Sequence, residues 1–408
     1  ANSPTYNSYS LKNTTMTTTT QSQVLPILRL QCDWEEDTKK PGSASFWVSY
    51  ESDGKTKNYG NINVTVRAEN DFQYDPQSGF QIPSFDPHSR WIEVQSPDNK
   101  LRTKFVSPVQ TFQLHAVKKA AFDVDVSPGG ELGVSGSVYG DLKCWNTHDG
   151  SVLREFEGHV GDILLCRFFP SGQVILSGSN DCQLKIWSVT EGYCAATLVG
   201  HSGSILDASF IERGRNFVTC SSDGTLRLWE TSTKQTIAVL AKRQAINACW
   251  VSTNTHHPVQ AADPGPMEYG TGGKIVLYGG EDNAFCAVDI ASKSQIFEYQ
   301  CSSSVESCTS LDSKYYIVGT SAGDVRVFDA AKTSEPLFAF SKTTSAVQSL
   351  SPHSSTQFWA GTNDGVALLW DAQQNQQVAQ LTGPDLEPVT GISARGQEVY
   401  TSSRDSKI

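Results

Sequence analysis

The sequence has no excess of basic residues and no long apolar run. Its 408 residues include 32 lysines and arginines against 43 aspartates and glutamates, a net charge of −11. Binding to a phosphate backbone needs a basic surface, so this balance argues against nucleic acid as a partner. No stretch approaches the roughly 18 apolar residues of a membrane span, which argues against a membrane role.

The ten cysteines are scattered along the chain, and no two of them form a C-x-x-C. A free thiol in an apolar run behaves as a small hydrophobic residue. Cysteine used in this way is typical of a reducing compartment, so we expect a cytoplasmic and nuclear protein.

Motifs for catalysis are also missing. The chain contains no G-x-x-x-x-G-K-[ST] phosphate loop and no G-x-S-x-G nucleophile turn. His256 and His257 are adjacent, but no further ligand stands at metal-binding spacing near them. We therefore predict no enzymatic activity, no metal, no cofactor and no small-molecule substrate.

The amino-terminal part divides into two predicted segments. Residues 1–23 are mostly Ser, Thr, Asn and Gln, a composition that cannot bury a core, and they predict a disordered leader. Residues 24–104 contain short alternating runs such as Ile62–Val66, separated by turn residues, and they predict a small β-rich domain. The remaining residues, 105–408, are assigned to a second domain.

This second domain repeats itself. His159 and His201, each preceded by glycine, are 42 residues apart, and so are Trp187 and Trp229. Later units are degenerate but keep the rhythm, and the tryptophan position is then occupied by Val288, Phe328 and Trp370. A period of about 40–45 residues with GH, an aspartate turn and a third-strand tryptophan is the signature of WD repeats, each a four-stranded propeller blade.

The predicted fold is therefore all-β: a seven-bladed WD-repeat propeller preceded by a small β-rich domain. A propeller closes when one blade is shared between its two ends, because an unpaired strand edge invites aggregation. Phe105–Leu114 is the candidate outer strand of blade seven, whose third strand is just beginning at Ile408. This leaves open how that blade is completed. The surplus length between Trp229 and Val288 predicts an insertion loop near residues 252–273.

We expect a buried hydrogen-bonded network inside each well-formed unit, since WD repeats link a histidine, an aspartate, a serine or threonine, and the tryptophan. Its recurrence at the repeat period favours a structural role over a catalytic triad. The candidates are His159, Asp181, Ser177 or Ser179, and Trp187 in one unit, and His201, Asp223, Thr219 or Ser221, and Trp229 in the next.

Acidic residues recur near the start of the first strand of several blades. These positions cluster at one end of a propeller, so they predict a negative face for a basic partner. The predicted partner-binding residues are Asp123, Asp162, Asp207, Glu306, Asp385 and Glu387.

Longer motifs go beyond general WD-repeat patterns. On these motifs, the chain resembles the proteasomal ATPase-associated factor family over about residues 30–405. The motifs are Glu157-Gly158-His159-Val160, Arg167-Phe168-Phe169-Pro170-Ser171-Gly172, Gln183-Leu184-Lys185-Ile186-Trp187-Ser188, Arg213-Gly214-Arg215-Asn216 and Arg227-Leu228-Trp229.

We expect a monomer. The resemblance implies a non-catalytic assembly chaperone of the proteasome regulatory particle. It further implies binding to the C-terminal small domain of a proteasomal ATPase subunit, delayed docking on the core particle, and later release. The alternatives are a general WD-repeat scaffold or a substrate receptor of a ubiquitin ligase. Such receptors tend to carry an arginine two residues after the Trp-Asp pair, whereas Trp370-Asp371 is followed by Ala372-Gln373.

Overall fold

The computed structural model describes residues 23–36, 42–52, 56–68, 71–86, 88–116, 119–257, 263–342, 344–383 and 387–408. The predicted leader lies outside these residues except at its last position, because Gln23 begins the first strand. No helix in the described ranges is long and apolar enough to cross a membrane.

In the described residues, eight strands precede the propeller. The short apolar alternations of β2 to β8 place one side of each of these strands in a common core that includes Trp34, Phe46 and Ile92. The strands are β1 (Gln23–Val24), β2 (Ile27–Leu30), β3 (Gly42–Ser52), β4 (Thr56–Ala68), β5 (Asp71–Pro76), β6 (Gln81–Asp86), β7 (Trp91–Gln95) and β8 (Arg102–Val106).

Blades one to three are regular antiparallel sheets of four strands, paired in chain order. Blade one also contains a short 3-10 turn at Val138–Gly140. The strands are β9 (Ala121–Val126), β10 (Leu132–Ser137), β11 (Leu142–Asn146) and β12 (Val152–Phe156); β13 (Ile163–Phe168), β14 (Val174–Ser179), β15 (Gln183–Ser188) and β16 (Cys194–Val199); and β17 (Ile205–Ile211), β18 (Asn216–Ser221), β19 (Thr225–Glu230) and β20 (Gln235–Lys242).

Blades four to six have the same antiparallel order, and blade seven contributes one hairpin. The strands are β21 (Ile246–Thr253), β22 (Lys274–Gly280), β23 (Ala284–Asp289) and β24 (Gln295–Gln300); β25 (Val305–Leu311), β26 (Tyr315–Thr320), β27 (Asp324–Asp329) and β28 (Phe338–Ser341); β29 (Val347–Pro352), β30 (Gln357–Thr362), β31 (Ala367–Asp371) and β32 (Gln376–Leu381); and β33 (Val389–Arg395) and β34 (Glu398–Ser403).

The seven first strands form a closed ring. Each contacts the first strand of the next blade, and β33 of blade seven contacts β9 of blade one. This arrangement confirms the predicted all-β propeller.

Side-chain hydrogen bonds connect the first strands of neighbouring blades, between residues about one repeat apart in sequence. The Asp125 carboxylate in β9 accepts the backbone N–H of Phe168 in β13 at 2.8 Å, and the Ser209 hydroxyl in β17 accepts the N–H of Val251 in β21 at 3.0 Å. Such bonds satisfy backbone groups that the blade ladders leave unpaired.

Blade seven closes the ring by pairing residues that precede blade one with the last described residues. The N–H of Phe112 donates to the carbonyl of Ile408 at 2.8 Å, and the N–H of Ile408 returns a bond to Phe112 at 3.1 Å. Gln113 and Lys407 pair antiparallel between them. Residues 407–408 thus act as the third strand of the blade and residues 112–113 as the fourth.

Only part of the predicted closing strand, Phe105–Leu114, takes this position. Phe105 and Val106 lie parallel to Gln380 and Leu381 of β32, so they extend blade six instead. The reason is that β8 pairs with β7 on one side and with β32 on the other. It thereby joins strands of the amino-terminal domain and blade six into one sheet. This continuous sheet crosses the predicted domain boundary at residues 104 and 105.

A second strand joins the two domains. β1 pairs parallel to β28, with Gln23 opposite Phe340 and Val24 opposite Ser341, and so becomes a fifth strand of blade five. The outer edges of blades five and six are therefore both covered by the amino-terminal domain. Covered edges cannot pair with other chains.

Candidate partner-binding face

Two complete hydrogen-bonded networks lie inside blades two and three. In blade two, His159 Nδ1 lies 2.8 Å from Asp181 and its Nε2 lies 2.8 Å from the Ser177 hydroxyl. Trp187 Nε1 donates to the same hydroxyl at 2.8 Å. The sequence left Ser177 and Ser179 open, and the structure places Ser177 in the network. Ser179 instead accepts the backbone N–H of Asp181.

Blade three repeats this geometry. His201 Nδ1 lies 3.0 Å from Asp223 and its Nε2 lies 2.8 Å from the Thr219 hydroxyl, which also accepts Trp229 Nε1 at 2.8 Å. Thr219 therefore takes the position of Ser177, and Ser221 does not. In both blades one hydroxyl joins the histidine to the tryptophan. The histidine lies in the loop before the first strand and the aspartate in the turn before the third strand, so their contact holds the loop and the turn together.

Burial keeps the network histidines neutral. It lowers the pKa of His159 and of His201, although the facing carboxylate opposes that shift in each case. Burial would raise the pKa of Asp181, but its hydrogen bond and charge interaction with His159 outweigh this and lower the pKa. The lowered pKa favours the neutral imidazole, in which one ring nitrogen donates a hydrogen bond and the other accepts one. The recurrence of the same geometry in two successive blades is what supports a structural role.

A third network in blade one escaped the sequence analysis. His115 Nδ1 lies 3.1 Å from Asp141, and its Nε2 lies 2.8 Å from the Ser135 hydroxyl. Trp145 is fully buried, but among the described residues its Nε1 has no hydrogen-bond partner. His115 stands 44 residues before His159, and this spacing was the available signal.

The three histidines mark one end of the propeller. This end carries the loops that precede the first strands and the turns that join second to third strands. We name it the histidine face, for His115, His159 and His201.

Asp162 and Glu306 both lie at this face and are half-buried. The Asp162 carboxylate accepts the backbone N–H of Tyr139 at 2.8 Å. Glu306 accepts the hydroxyl of Ser304 at 2.7 Å and lies 3.5 Å from the side-chain amide of Asn247. Glu387, also half-buried, stands in the loop before β33, whereas Asp385 lies outside the described residues.

Asp123 is buried and Asp207 is half-buried, and both carboxylates are already bound by another side chain, so their role in binding a partner stays a prediction. Both side chains bind the guanidinium of Arg167, which reaches Asp207 at 3.4 Å. Asp123 is 6% exposed and also accepts the backbone N–H of Cys166 at 2.9 Å. The three residues come from the first strands of blades one, two and three, so their charges are largely satisfied within the ring.

Burial dominates the electrostatics of this triad. It raises the pKa of Asp123 to about 6, although the positive charge of Arg167 pulls in the other direction. The pKa of Asp207 is also raised by burial. Arg167 stays charged, because its pKa is raised further by the two carboxylates despite its burial.

The two most specific sequence motifs have structural roles at the opposite end of the propeller. Phe169 packs against Phe210 of the next blade, with ring centroids 4.4 Å apart. Arg215 stacks on Tyr269 of the insertion loop at 3.4 Å, and the fully buried Asn216 side chain accepts the N–H of Tyr269 at 2.6 Å. The Arg213–Asn216 turn therefore anchors the described part of the insertion loop.

The fold and its networks define a WD-repeat β-propeller protein with a small amino-terminal β domain. A family described as "WD domain, G-beta repeat" matches residues 150–188 and 192–230. Each match runs from the fourth strand of one blade through the third strand of the next, so the two matches contain β12–β15 and β16–β19. Blades two and three hold the complete networks.

Named relatives match nearly the whole chain. Proteasomal ATPase-associated factor 1 of Gallus gallus is 41% identical over 93% of this chain and 97% of its own length. Its namesake in Homo sapiens is 39% identical over the same shares. A Dictyostelium discoideum protein named "Probable proteasomal ATPase-associated factor 1" is 38% identical over 97% of this chain and 98% of its own. The chain belongs to the proteasomal ATPase-associated factor 1 family.

Proposed function

We propose that this protein is a non-catalytic assembly chaperone of the proteasome regulatory particle. It binds the C-terminal small domain of a proteasomal ATPase subunit through the histidine face. The observation that carries the proposal is the 38–41% identity, over nearly the full length, to proteins whose names state association with proteasomal ATPases.

The charge of the chain supports a basic partner. The net charge is −11, and most of it falls after residue 112, in the propeller. On the histidine face, Glu157 is exposed while Glu306 and Glu387 are half-buried. Carboxylates arranged in this way raise the rate of encounter with a basic surface and disfavour acidic competitors.

The proposed mechanism is reversible occlusion. The networks of blades one to three hold the loops of the histidine face in fixed positions, so little conformational entropy is lost on binding. A bound ATPase small domain cannot dock on the core particle until the chaperone leaves. The protein acts as a monomer in the cytoplasm and nucleus, without a nucleic-acid or membrane partner.

The test is capture of each isolated small domain of the proteasomal ATPases by the purified full chain, at low and raised salt. Selective capture of one subunit that weakens with salt is the expected result. Failure to capture any of them would overturn the proposal.

Paired charge reversals locate the site. Glu306→Lys with Glu387→Lys is expected to weaken capture and to flatten its salt dependence. The matched control is Glu131→Lys with Glu191→Lys, the same change of charge at exposed positions in the turns of the opposite end. An equal loss of capture in both double variants would indicate a general effect of charge and would contradict binding at the histidine face.

A further inference from the structure

Blade one departs from the repeat at one position. In blades two and three the network aspartates, Asp181 and Asp223, stand six residues before the third-strand tryptophan. In blade one that position holds Tyr139, and the carboxylate that binds His115 comes from Asp141, two residues later. Blade one thus retains the contact between histidine and carboxylate, while the usual aspartate position is occupied by an aromatic residue.

Tyr139 has a backbone conformation that tyrosine disfavours. It lies at φ 58° and ψ 30°, followed by Gly140 at φ 75°. The N–H of Asp141 closes the turn onto the carbonyl of Val138 at 3.3 Å. Positive φ at both central residues is the pattern of a type I′ turn, whose first central position favours asparagine, aspartate or glycine. A strained residue of this kind points to a function that offsets its cost.

The turn is held in place from the neighbouring blade. Asp162 accepts the N–H of Tyr139 at 2.8 Å, and its own carbonyl accepts the N–H of Asn180 at 3.0 Å. A Cβ atom at Gly140 would collide with the carbonyl oxygen of His159, so the turn lies directly on the loop of blade two. Tyr139 is therefore presented on a rigid support.

The tyrosine side chain projects away from this support. It is 79% exposed, and Val160, which follows His159 in the loop under the turn, is 88% exposed. Exposed Glu157 belongs to the same loop. An exposed aromatic ring and a β-branched side chain, with the carboxylate of Asp162 beneath the turn and Glu157 in the same loop, match an apolar pocket beside basic residues.

We propose that Tyr139, together with Val160, is the apolar anchor with which the histidine face grips its partner, and that Asp162 is a positioning residue for Tyr139. This inference rests on the proposed function, and its occupant is the basic small domain of the ATPase subunit. Tyrosine is enriched among the residues that dominate binding energy, and a rigid presentation reduces the entropy lost on binding.

The decisive variant is Tyr139→Asn, because asparagine suits the turn. It is expected to keep or raise the melting temperature while weakening binding of the captured small domain by about tenfold or more, measured by calorimetry on the full chain. The matched control is Tyr193→Asn, a 57% exposed tyrosine in the β15–β16 hairpin at the opposite end, which should bind like the wild type.

Asp162 is tested at raised salt, where its charge contributes little. Asp162→Asn keeps an oxygen that can accept the N–H of Tyr139 and should bind nearly normally, whereas Asp162→Ala removes it and should bind weakly. If the wild type binds a small domain and Tyr139→Asn binds it with the same affinity, the role of Tyr139 as an anchor is overturned while the proposed function stands. Absence of binding by the wild type to every small domain would overturn both.

Discussion

Arg29 of the amino-terminal domain and Asp364 of blade six form an ion pair with an N–O distance of 2.6 Å. Asp364 stands six residues before Trp370, the position of the network aspartates Asp181 and Asp223. In blade six the carboxylate is therefore bound by another domain, 335 residues away in sequence, instead of by a histidine.

The rest of the blade-six network is absent. Ala360 stands ten residues before Trp370, where blades two and three have Ser177 and Thr219. Among the described residues, Trp370 Nε1 has no hydrogen-bond partner, and its ring stacks on Phe340 at 3.9 Å. Lys342 adds a second link between the domains, donating to the carbonyl of Pro26 at 2.8 Å. The remaining aspartate of this incomplete network binds the amino-terminal domain through Arg29.

We expect Arg29→Met and Asp364→Asn each to loosen the amino-terminal domain, at a cost of about 1 kcal/mol because both side chains are only partly buried. Hydrogen exchange should rise in β1 and β2 more than in blades two and three. A double-mutant cycle measures the coupling. Additive effects of the two substitutions would show that the ion pair does not hold the domains together.

Thr219→Val should destabilise the propeller by about 2 kcal/mol, because it removes the hydroxyl that donates to His201 Nε2 and accepts from Trp229 Nε1 while keeping the side-chain volume. Urea unfolding measures the change. Thr219→Ser is the control and should cost little. Ser135→Ala in blade one should cost less than Thr219→Val, since Trp145 makes no bond to that hydroxyl among the described residues. Equal losses in the two blades would contradict this account.

The networks predict loss of stability in acid. Burial lowers the pKa of His159 and His201 below that of an unfolded histidine, about 6.5. The unfolded chain therefore binds more protons as the pH falls, and this contribution to stability, complete above about pH 6.5, is lost as the pH falls through the folded pKa. The pKa of Asp181 is also lowered, so its contribution is likewise lost in acid.

Urea unfolding from about pH 7.5 to about pH 5 tests this expectation. The double variant with His159→Gln and His201→Gln should be less stable at neutral pH but should show a flatter slope against pH. A slope equal to that of the wild type would assign the acid sensitivity to other groups.

Arg167→Met should be destabilising, by about 3 kcal/mol, because it leaves the buried carboxylate of Asp123 and the half-buried carboxylate of Asp207 without their counter-ion. Burial already raises the pKa of Asp123 to about 6 in the presence of Arg167, and loss of that positive charge should raise it further. The loss of stability should therefore shrink as the pH falls and Asp123 becomes protonated. Adding Asp123→Asn should recover part of the stability at neutral pH. The control is Arg213→Met, at an exposed position. Comparable losses for Arg167→Met and Arg213→Met would disprove the role of the triad.

The sequence alone determined the repeat, the propeller and the complete networks of blades two and three. These features depend on spacings within one blade, where each residue's neighbours lie within about one repeat. His115 could have been found in the same way. The two-residue shift to Asp141 hid its network.

Only the tertiary structure decided which acidic side chains are bound inside the propeller. Asp123, Asp162 and Asp207 recur at similar sequence positions, but the packing of blades one, two and three brings Arg167 to Asp123 and Asp207. Phe105 joins blade six and Gln113 joins blade seven, because each pairs with residues that are more than 250 positions later in the sequence, Gln380 and Lys407. A spacing within one blade carries no information about such partners, because they are brought together by the packing of adjacent blades and by closure of the ring.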